Sequence, residues 1–376
     1  MKYIVVLGCG RVGSAIAKDL HQEKEFDVVA LDISEKNLSA LNESGIKTKK
    51  CDFTRTREIE ESVKEADLVI GAVPGFMGFE TLKTIISFKK NVVDISFFPE
   101  DPFELDDLAK KEEVTAIVDA GVAPGCSNLI AGRMDSIFDT FDNFICYVGG
   151  LPLERYYPYE YKAPFSPIDV IEEYTRKARI VKDGNIIEME ALSESEYLNF
   201  KGIGTLEAFN TDGLRTLLKT VKAKNMAEKT LRYIGHIEKM KLLKETNFFS
   251  KEKIRIGEAL VSPLEMTAKL LFPLWSFGEE EEDLTVMKIV ASGEINKKPV
   301  KYTYDLFDKM DTKNGVSSMA RTTGYTATSC ARLFLEGNFK EKGIIPLEYI
   351  GRNYENYLFV MKELARRGVI FKESVN

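Results

Sequence analysis

The first third of the chain alternates short Val- and Ile-rich runs with stretches whose apolar residues recur at helical spacing. Because polar residues are scarce within the runs, they are typical of strands covered on both faces. Strands that alternate with helices form a parallel sheet. The predicted strands are YIVVLG (3–8), DVVALD (27–32), ADLVIGAV (66–73), NVVDIS (91–96) and VTAIVD (114–119).

The pattern changes after residue 120. ARIVKDGNIIEME (178–190) predicts a hairpin that turns at Asp183 and Gly184, and residues 284–307 predict a second hairpin. From Ser318 the apolar spacing is helical again. We therefore predict an α/β chain with three parts: a Rossmann-type parallel-sheet domain (1–120), an antiparallel α+β domain (121–317) and C-terminal helices (318–376).

Composition narrows the class of protein. The chain has 376 residues, of which 44% are hydrophobic and 30% charged, as in soluble globular enzymes. A net charge of -7 with interleaved signs argues against a nucleic-acid partner. The most apolar later stretch, 259–277, contains Glu265 and Lys269, which argues against a membrane span. The acidic run at 279–283 is interpreted as a solvated loop.

The cysteines and histidines indicate neither disulfides nor a metal site. Five scattered cysteines form no C-x-x-C pair, and there are two histidines. Cys126 lies near a predicted helix N-terminus, which would lower its pKa, but we interpret all five thiols as packing residues. The expected location is a reducing cytoplasm.

A glycine-rich turn follows the first predicted strand and opens a helix. Gly8, Gly10 and Gly13 have G-x-G-x-x-G spacing, with Arg11 and Val12 between the last two. Gly8 permits a tight turn, Gly10 lets a pyrophosphate approach the backbone, and Gly13 lets helix and strand pack closely. The alternative, a purely structural turn, is disfavoured because strand, helix and a downstream acid occur together.

That acid is Asp32, which ends the second predicted strand. Its carboxylate can accept hydrogen bonds from a ribose diol and would repel a 2′-phosphate, and no Arg follows at once to offset it, so NAD is favoured over NADP. Asp52 and Phe53 follow a possible third strand, where they would border the adenine of the cofactor. The alternative for Phe53 is packing in the hydrophobic core. The segment Ala72, Val73, Pro74 ends the fourth strand, where a cofactor ribose would pass.

The loop AIVDAGVAPGCSNLIAGR (116–133) has two interpretations. A glycine turn between strand and helix can cradle a phosphate, or it can carry the chain from one domain to the next.

Four strings beyond the glycine turn resemble the saccharopine dehydrogenase family, and within it the NAD-dependent L-lysine 6-dehydrogenases. They are YVGGLP (147–152), YEYKAPFS (159–166), TLEAFNTDGLRT (205–216) and KTLRYIGHIEK (229–239). The resemblance implies a Rossmann domain, an α+β domain that supplies substrate contacts, C-terminal helices that fold back on the Rossmann domain, and a homodimer. It also implies that the 116–133 loop is the interdomain crossing at the nicotinamide end of the cofactor.

The resemblance also separates two activities within the family. Saccharopine reductases typically have an acid in this loop and a thiol in the strand after it, where this chain has Ala123 and Val148. The resemblance therefore implies oxidative deamination of the lysine ε-amine, with an amino acid as the small-molecule substrate. The alternatives are a saccharopine or carboxyspermidine-type reductase and a non-catalytic NAD-binding sensor.

Amine oxidation requires a neutral amine, so a base or a desolvated site must remove a proton. His236 and Glu207 match the lysine dehydrogenase strings, while Asp94 and Asp119 end parallel strands, where open sheets bind ligands. Three of the four have a structural alternative: His236 caps a helix, Glu207 faces solvent, or Asp119 binds loop amides.

A substrate carboxylate requires a fixed cation, and Arg215 and Arg232 are placed best by motif. Either can instead form a structural ion pair. Tyr161, Lys162 and Ser166 are predicted to line the substrate pocket, with Lys162 the more exposed. We expect the α+β domain to form the homodimer, because the edge strands of its two hairpins would otherwise stay unpaired.

Overall fold

The computed structural model describes residues 1–165, 167–278, 281–337 and 339–376. The chain divides into two compact units. The first comprises Met1–Phe138, Arg215–Lys222 and Ala320–Phe371, and the second comprises Asp139–Leu214, Ala223–Met319 and Lys372–Asn376.

The helices follow the predicted apolar spacing. Among the described residues, no helix combines the length and apolarity that crossing a bilayer requires. A short 3₁₀ helix spans Pro102–Leu105. The α-helices are α1 (Arg11–His21), α2 (Glu35–Asn42), α3 (Thr56–Val63), α4 (Gly75–Ser87), α5 (Asp106–Lys111), α6 (Cys126–Ile137), α7 (Pro167–Thr175), α8 (Leu217–Thr220), α9 (His236–Glu245), α10 (Pro263–Trp275), α11 (Ser318–Leu335), α12 (Leu347–Arg352) and α13 (Tyr354–Arg366).

The strands include every run predicted from the sequence. They are β1 (Lys2–Leu7), β2 (Phe26–Asp32), β3 (Lys47–Lys50), β4 (Leu68–Gly71), β5 (Val92–Asp94), β6 (Thr115–Val118), β7 (Thr140–Pro152), β8 (Ala178–Lys182), β9 (Asn185–Met189), β10 (Glu196–Phe200), β11 (Gly204–Thr211), β12 (Asn225–Tyr233), β13 (Ile254–Ile256), β14 (Ala259–Val261), β15 (Asp283–Ile295), β16 (Lys298–Lys309), β17 (Gly343–Pro346) and β18 (Phe371–Val375).

The first unit contains the predicted parallel sheet. Its strand order is β17-β6-β5-β4-β1-β2-β3, and each neighbouring pair runs parallel. The near-continuous apolar runs are buried on both faces; in β1, Ile4 to Leu7 are fully buried. The order reverses direction between β1 and β4, which is where open sheets of this kind bind nucleotides. The α/β fold class is thus confirmed.

Two strands near the C-terminus were not predicted. β17 extends the parallel sheet beyond β6, and β18 extends the antiparallel sheet of the second unit beyond β16. A four-residue buried run such as GIIP has no period of its own that would reveal it. The prediction of helices alone over 318–376 was therefore wrong for these segments.

The structure also moves the predicted domain boundary at 120. Helix α6 belongs to the first unit because Gly132 lies directly against the carbonyl of Glu348 in α12, where a Cβ atom would overlap it. Residues 215–222 likewise return to the first unit. The helix period of α6 was visible in the sequence, but the helix it packs against lies more than two hundred residues later.

The C-terminal helices pack on the glycine-loop helix. Gly324 of α11 faces Ile16 of α1, so the two helices approach closely. Beside this contact, Arg332 binds Asp19 at 2.8 Å, and Arg367 binds both Asp19 and Glu363. Most of these charged groups are buried, so the helices are held by a shared network of ion pairs.

The second unit is built on an antiparallel-rich sheet with the order β10-β11-β12-β7-β15-β16-β18, and β8–β9 attached at β12. Both predicted hairpins are confirmed, and the first turns at Asp183 and Gly184, both with positive φ. The outer edge of β16 is covered by β18 of the same chain. The unpaired-edge reason for a homodimer therefore does not apply to the second hairpin.

We predict that Arg332→Met destabilises the first unit. The side chain of Arg332 is 5% exposed, so its loss leaves Asp19 and Glu363 with fewer buried partners, at a cost on the order of 3 kcal/mol or a fall in Tm of roughly 5–10 °C. Arg366→Met is the matched control: it pairs with the same Glu363 but is 74% exposed, and its loss should cost under about 1 kcal/mol. Equal shifts in thermal unfolding would show that the buried network contributes no more than a surface pair.

Candidate active site

The glycine turn has the geometry that a pyrophosphate requires. Gly8 has φ +93°, and a Cβ there would overlap the carbonyl of Ala72, while a Cβ on Gly13 would overlap the carbonyl of Gly8. Gly10 has nothing within 4 Å of its Cβ position, so the N-terminus of α1, with Arg11 and Val12, faces open space. The two crowded glycines shape the turn and the open one leaves room for an anion.

Asp32 is held in place without an opposing cation. Its carboxylate accepts the backbone amides of Cys9 at 2.6 Å and Ser34 at 2.7 Å, and the side-chain amide of Asn37 at 3.3 Å. In the described part of the chain, no Lys or Arg forms an ion pair with Asp32. A carboxylate has lone pairs for a further hydroxyl donor, so Asp32 fits the diol of a nucleotide ribose.

Most of the other predicted cofactor residues contact neighbouring protein groups in the first unit. Asp52 accepts the amide and hydroxyl of Thr54 and pairs with Arg55, and Phe53 packs against the hydrophobic core, so both serve the turn before α3. Val73 is also a core residue, whereas the Ala72 carbonyl faces Gly8 and Pro74 precedes α4. For Phe53, the packing alternative is the one observed.

Two of the predicted acids and one predicted arginine meet at the carboxyl end of the parallel sheet. Arg215 Nε lies 2.9 Å from each carboxylate oxygen of Asp119, and both side chains are buried. Arg215 also donates from Nη1 to the carbonyl of Phe98, and its guanidinium lies 5.1 Å from the ring centres of Phe97 and Phe98. Asp119 therefore binds a guanidinium rather than loop amides.

Arg215 keeps one donor nitrogen without a partner. Its Nη2 is sealed from solvent and makes no hydrogen bond. An unsatisfied buried donor costs about 1–3 kcal/mol. The ion pair thus fixes the guanidinium and leaves one of its nitrogens without an acceptor.

Asp94 ends β5 in the same part of the first unit. It is fully buried, and Ser96 donates to its carboxylate from the amide at 2.9 Å and the hydroxyl at 3.2 Å. Burial raises the pKa of Asp94 to about 8, with Asp119 adding to the rise and Ser96 and Arg215 opposing it. Asp94 therefore changes its charge close to neutral pH.

In the second unit, Arg232 is fully occupied by protein groups. It donates to the carboxylate of Glu173, to the hydroxyl of Tyr174 at 3.1 Å and to the carbonyl of Leu231 at 2.9 Å. Its guanidinium also lies 4.5 Å from the ring centre of Tyr161. Arg232 was predicted either to bind a substrate carboxylate or to form a structural ion pair, and this arrangement favours the ion pair.

His236 begins α9 as a buried, neutral imidazole. Nδ1 lies 2.7 Å from the carbonyl of Tyr159 and must donate, so Nε2 accepts from the hydroxyl of Tyr174 at 2.9 Å. Burial and the nearby Arg232 together lower the pKa of His236 to about 3. Both ring nitrogens are used, and the side chain makes no cap to its helix.

Glu207 lies on β11 beside Arg232 in the strand register. The residue is 5% exposed, so the solvent-facing alternative was wrong. Burial raises the pKa of Glu207, while Lys241, the amide of Gly235 and the hydroxyl of Ser195 oppose the rise. Glu207 thus supports the left-handed Gly235 turn that leads into His236.

Tyr161 and Lys162 line a cavity of about 240 Å³, together with Tyr156, Tyr157, Pro158, Tyr159, Pro273 and Leu274. The hydroxyl of Tyr161 is buried and has no partner. Lys162 was expected to be the more exposed of the two, and it is: its side chain is 12% exposed, whereas Tyr161 is 1% exposed. Glu281 binds the Lys162 ammonium at 2.6 Å. Ser166 lies outside the described residues.

The acidic run at 279–283 is not simply a solvated loop. Glu281 binds Lys162, and Asp283 is 2% exposed and accepts the amides of Ser318 and Met319. Glu279 and Glu280 lie outside the described residues. All five cysteines are buried, and burial raises the pKa of Cys126 to about 12 instead of the lowered value expected at a helix N-terminus.

Several residues of these clusters were missed in the sequence. Glu173 and Tyr174 lie on α7 within VIEEYT, and Ser96 follows β5. The Glu173–Tyr174 pair was visible in the sequence, but its partners Arg232 and His236 lie some sixty residues away.

Two family models match the chain. The Saccharopine dehydrogenase NADP binding domain matches residues 4–117, and the Saccharopine dehydrogenase C-terminal domain matches residues 121–369.

Named relatives agree with these models. The mitochondrial alpha-aminoadipic semialdehyde synthase of Rattus norvegicus is 22% identical, covering 98% of this chain and 47% of its own length. The saccharopine dehydrogenase [NADP(+), L-glutamate-forming] of Pyricularia oryzae is 27% identical, covering 57% of this chain and 50% of its own. The chain thus spans about half the length of the curated relatives it matches.

The fold also matches a solved structure over its whole length. Apo saccharopine dehydrogenase (L-Glu forming) from Saccharomyces cerevisiae aligns with a TM-score of 0.82 at 21% identity, covering 100% of each chain. With both family models together spanning most of the sequence, the chain belongs to the saccharopine dehydrogenase family.

Proposed function

We propose that this chain is an NAD-dependent amine dehydrogenase that oxidises the ε-amine of L-lysine. When bound, NAD supplies the oxidant by accepting a hydride from the carbon that carries the amine. Water then releases ammonia from the imine, and the semialdehyde cyclises with its own α-amine to 1-piperideine-6-carboxylate.

The observation that carries this proposal is the unpartnered Nη2 of Arg215 at the carboxyl end of the parallel sheet. Asp119 neutralises and orients the guanidinium, and a substrate carboxylate would supply the missing acceptor. An amino acid has such a carboxylate, and a simple diamine does not. Arg215 therefore favours an amino-acid substrate.

The residues at 123 and 148 support deamination over reductive condensation. Ala123 and Val148 occupy the positions where saccharopine reductases typically have an acid and a thiol. Neither side chain can hold or move a proton. The proton transfers must therefore use other groups of this chain.

The second candidate is a saccharopine or carboxyspermidine-type reductase. The matched nucleotide-domain model is described as NADP binding, and the Pyricularia relative is named as an NADP(+)-dependent, L-glutamate-forming saccharopine dehydrogenase. The unpaired Asp32 carboxylate favours NAD instead, because it would repel a 2′-phosphate. A non-catalytic NAD-binding sensor is the less favoured third possibility.

We expect purified protein to form NADH and ammonia in equal amounts from L-lysine and NAD, with a lower rate with NADP. Reduced cofactor is followed by absorbance and ammonia by a coupled assay. Oxidation of saccharopine with release of glutamate, and no ammonia from lysine, would support the reductase instead. A preference for NADP would show that Asp32 is misassigned, even if lysine is the substrate.

The Arg215 assignment predicts an effect limited to substrates with a carboxylate. Arg215→Lys keeps a cation beside Asp119 but removes the planar donor pair, so the KM for lysine should rise about tenfold or more, as for loss of 1.5–3 kcal/mol. Cadaverine lacks the carboxylate and should be a poor substrate that is changed little. Arg232→Lys is the comparison, because Arg232 has no unfilled donor; equal losses for both substrates would make Arg215 structural.

Of the four candidate bases, Asp94 fits the proton transfer best. The imidazole of His236 has both nitrogens engaged, Asp119 is held by Arg215, and Glu207 supports a turn. A general base is most effective when its pKa is near the working pH, and Asp94 is the one raised to about 8. We therefore assign proton acceptance to Asp94.

This assignment predicts the pH profile. Since Asp94 accepts a proton only when ionised, kcat/KM for lysine should rise with pH through about 8. Asp94→Asn should remove this limb and lower kcat about 10²–10⁴-fold, while NAD binding followed by fluorescence is kept. His236→Gln should retain the limb, because the imidazole is neutral across this range. If the rise with pH is lost in His236→Gln or Glu207→Gln and persists in Asp94→Asn, the proton acceptor is the residue whose substitution removes it, and not Asp94.

A further inference from the structure

A fully buried acid, Glu348, lies on α12 of the first unit and takes no part in the proposed reaction. Its side chain is sealed from solvent, and within the described ranges no Lys or Arg forms an ion pair with it. Burial accordingly raises the pKa of Glu348. A carboxyl group in such a place is destabilising unless hydrogen bonds replace the lost water. The groups that bind Glu348 therefore indicate what the acid holds together.

Glu348 binds the one-turn helix that follows Arg215. The hydroxyl of Thr220, at the end of α8, donates to Oε1 of Glu348 at 2.6 Å, and the hydroxyl of Thr216 donates to the same carboxyl group. A helix of four residues does not form by itself, because nucleating a turn fixes several backbone angles for very few hydrogen bonds. The segment 215–220 therefore depends on partners outside itself.

The same acid also binds the start of α6. Asn128, in the first turn of that helix, donates from Nδ2 to Oε2 of Glu348 and to the hydroxyl of Thr216, each at 3.2 Å. The orientation of the Asn128 amide is fixed, because its Oδ1 accepts the backbone amide of Gly125 at 3.1 Å. Asn128 and Glu348 thus join the two chain segments that follow the partners of the buried ion pair.

Helices α6 and α12 form a close-packed support for α8. A Cβ on either Gly132 or Gly351 would overlap a backbone carbonyl of the other helix, so the two backbones are in contact. Arg352, at the end of α12, pairs with Asp135 of α6 at 2.9 Å and donates to the carbonyl of Thr220. The position of α8 is therefore set by α12 through two separate side chains.

A group that binds substrate requires accurate placement, because a small displacement weakens its contacts steeply. Arg215 directly precedes Thr216, so a shift of the anchored segment would move its guanidinium relative to Asp119. We propose that Glu348 is a positioning residue, whose hydrogen bonds to Thr216 and Thr220 hold Arg215 where it binds the substrate carboxylate. This inference rests on the proposed function.

The test compares Glu348→Met with Glu348→Gln in steady-state kinetics. Methionine has nearly the length of glutamate but lacks its hydrogen bonds, so KM for lysine should rise about tenfold with kcat changed little. Cadaverine has no carboxylate, and its KM should change less than about twofold. Glutamine keeps the shape and can still hydrogen-bond Asn128 and the two hydroxyls, so it should restore KM for lysine to within about threefold.

Glu363→Gln is the matched control. Glu363 is also a buried acid of the first unit, but its partners are Arg332, Arg366 and Arg367. Its replacement should lower Tm and leave KM for lysine unchanged. The proposal would be overturned by an unchanged KM for lysine in Glu348→Met, by equal rises for lysine and cadaverine, or by an equal rise in Glu363→Gln.

Amide hydrogen exchange examines the same segment without any substrate. The amides of residues 218–221 should exchange severalfold faster in Glu348→Met than in the wild type, and at the wild-type rate in Glu363→Gln. Unchanged exchange would overturn the positioning role. A wild type that does not oxidise lysine would refute the proposed function, whereas faster exchange in Glu348→Met would still support the anchoring of this segment. Should Glu348→Met not fold, Thr216→Val removes one of the hydroxyls and carries the same two expectations.

Discussion

The buried ion pair between Asp119 and Arg215 is the constraint on which the candidate site depends. It fixes residues 215–222, whose chain neighbours belong to the second unit, at the carboxyl end of the parallel sheet. Nearby, Asn128 donates to Thr216 and Glu348. Both ion-pair residues have positive φ, a conformation that costs free energy in residues other than glycine. Removing either partner would leave a buried charge unpaired. The ion pair therefore stabilises this backbone conformation despite the free-energy cost of the positive φ angles.

The two units stabilise their buried polar groups in different ways. In the first unit, the guanidinium of Arg215 binds the carboxylate of Asp119 directly. In the second, the charge of Arg232 is met by Glu173, and the hydrogen bonds continue through Tyr174 and His236 as neutral groups. The direction of that chain is fixed, because His236 must donate from Nδ1 to a carbonyl. The imidazole thereby serves as an acceptor for Tyr174 and is not free to titrate.

Local patterns in the sequence predicted five strands of the parallel sheet, the glycine turn, the two hairpins and the acids at the strand ends. They did not predict β17, β18 or the return of residues 215–222, because these depend on pairing between distant segments. The same limit applies to the two arginines. Arg215 and Arg232 were equal candidates by motif. What separates them is that every nitrogen of Arg232 has a partner, two of them supplied by α7 and one by the carbonyl of Leu231 on β12. The supply of partners depends on packing between segments far apart in the chain, which local sequence patterns do not reveal.

The titration of Asp94 follows from packing as well. Its carboxylate lies against the Cα of Gly71, and a Cβ at that position would overlap one of its oxygens. The glycine that ends β4 thus makes room for a carboxyl group at a depth where water does not reach it, and desolvation raises its pKa. Ser96 donates two hydrogen bonds to the carboxylate, which limit the rise in its pKa. Asp94 therefore still ionises at moderately alkaline pH. In the proposed reaction this balance suits a proton acceptor: deeper desolvation without Ser96 would keep Asp94 protonated, and full hydration would leave it too weak a base.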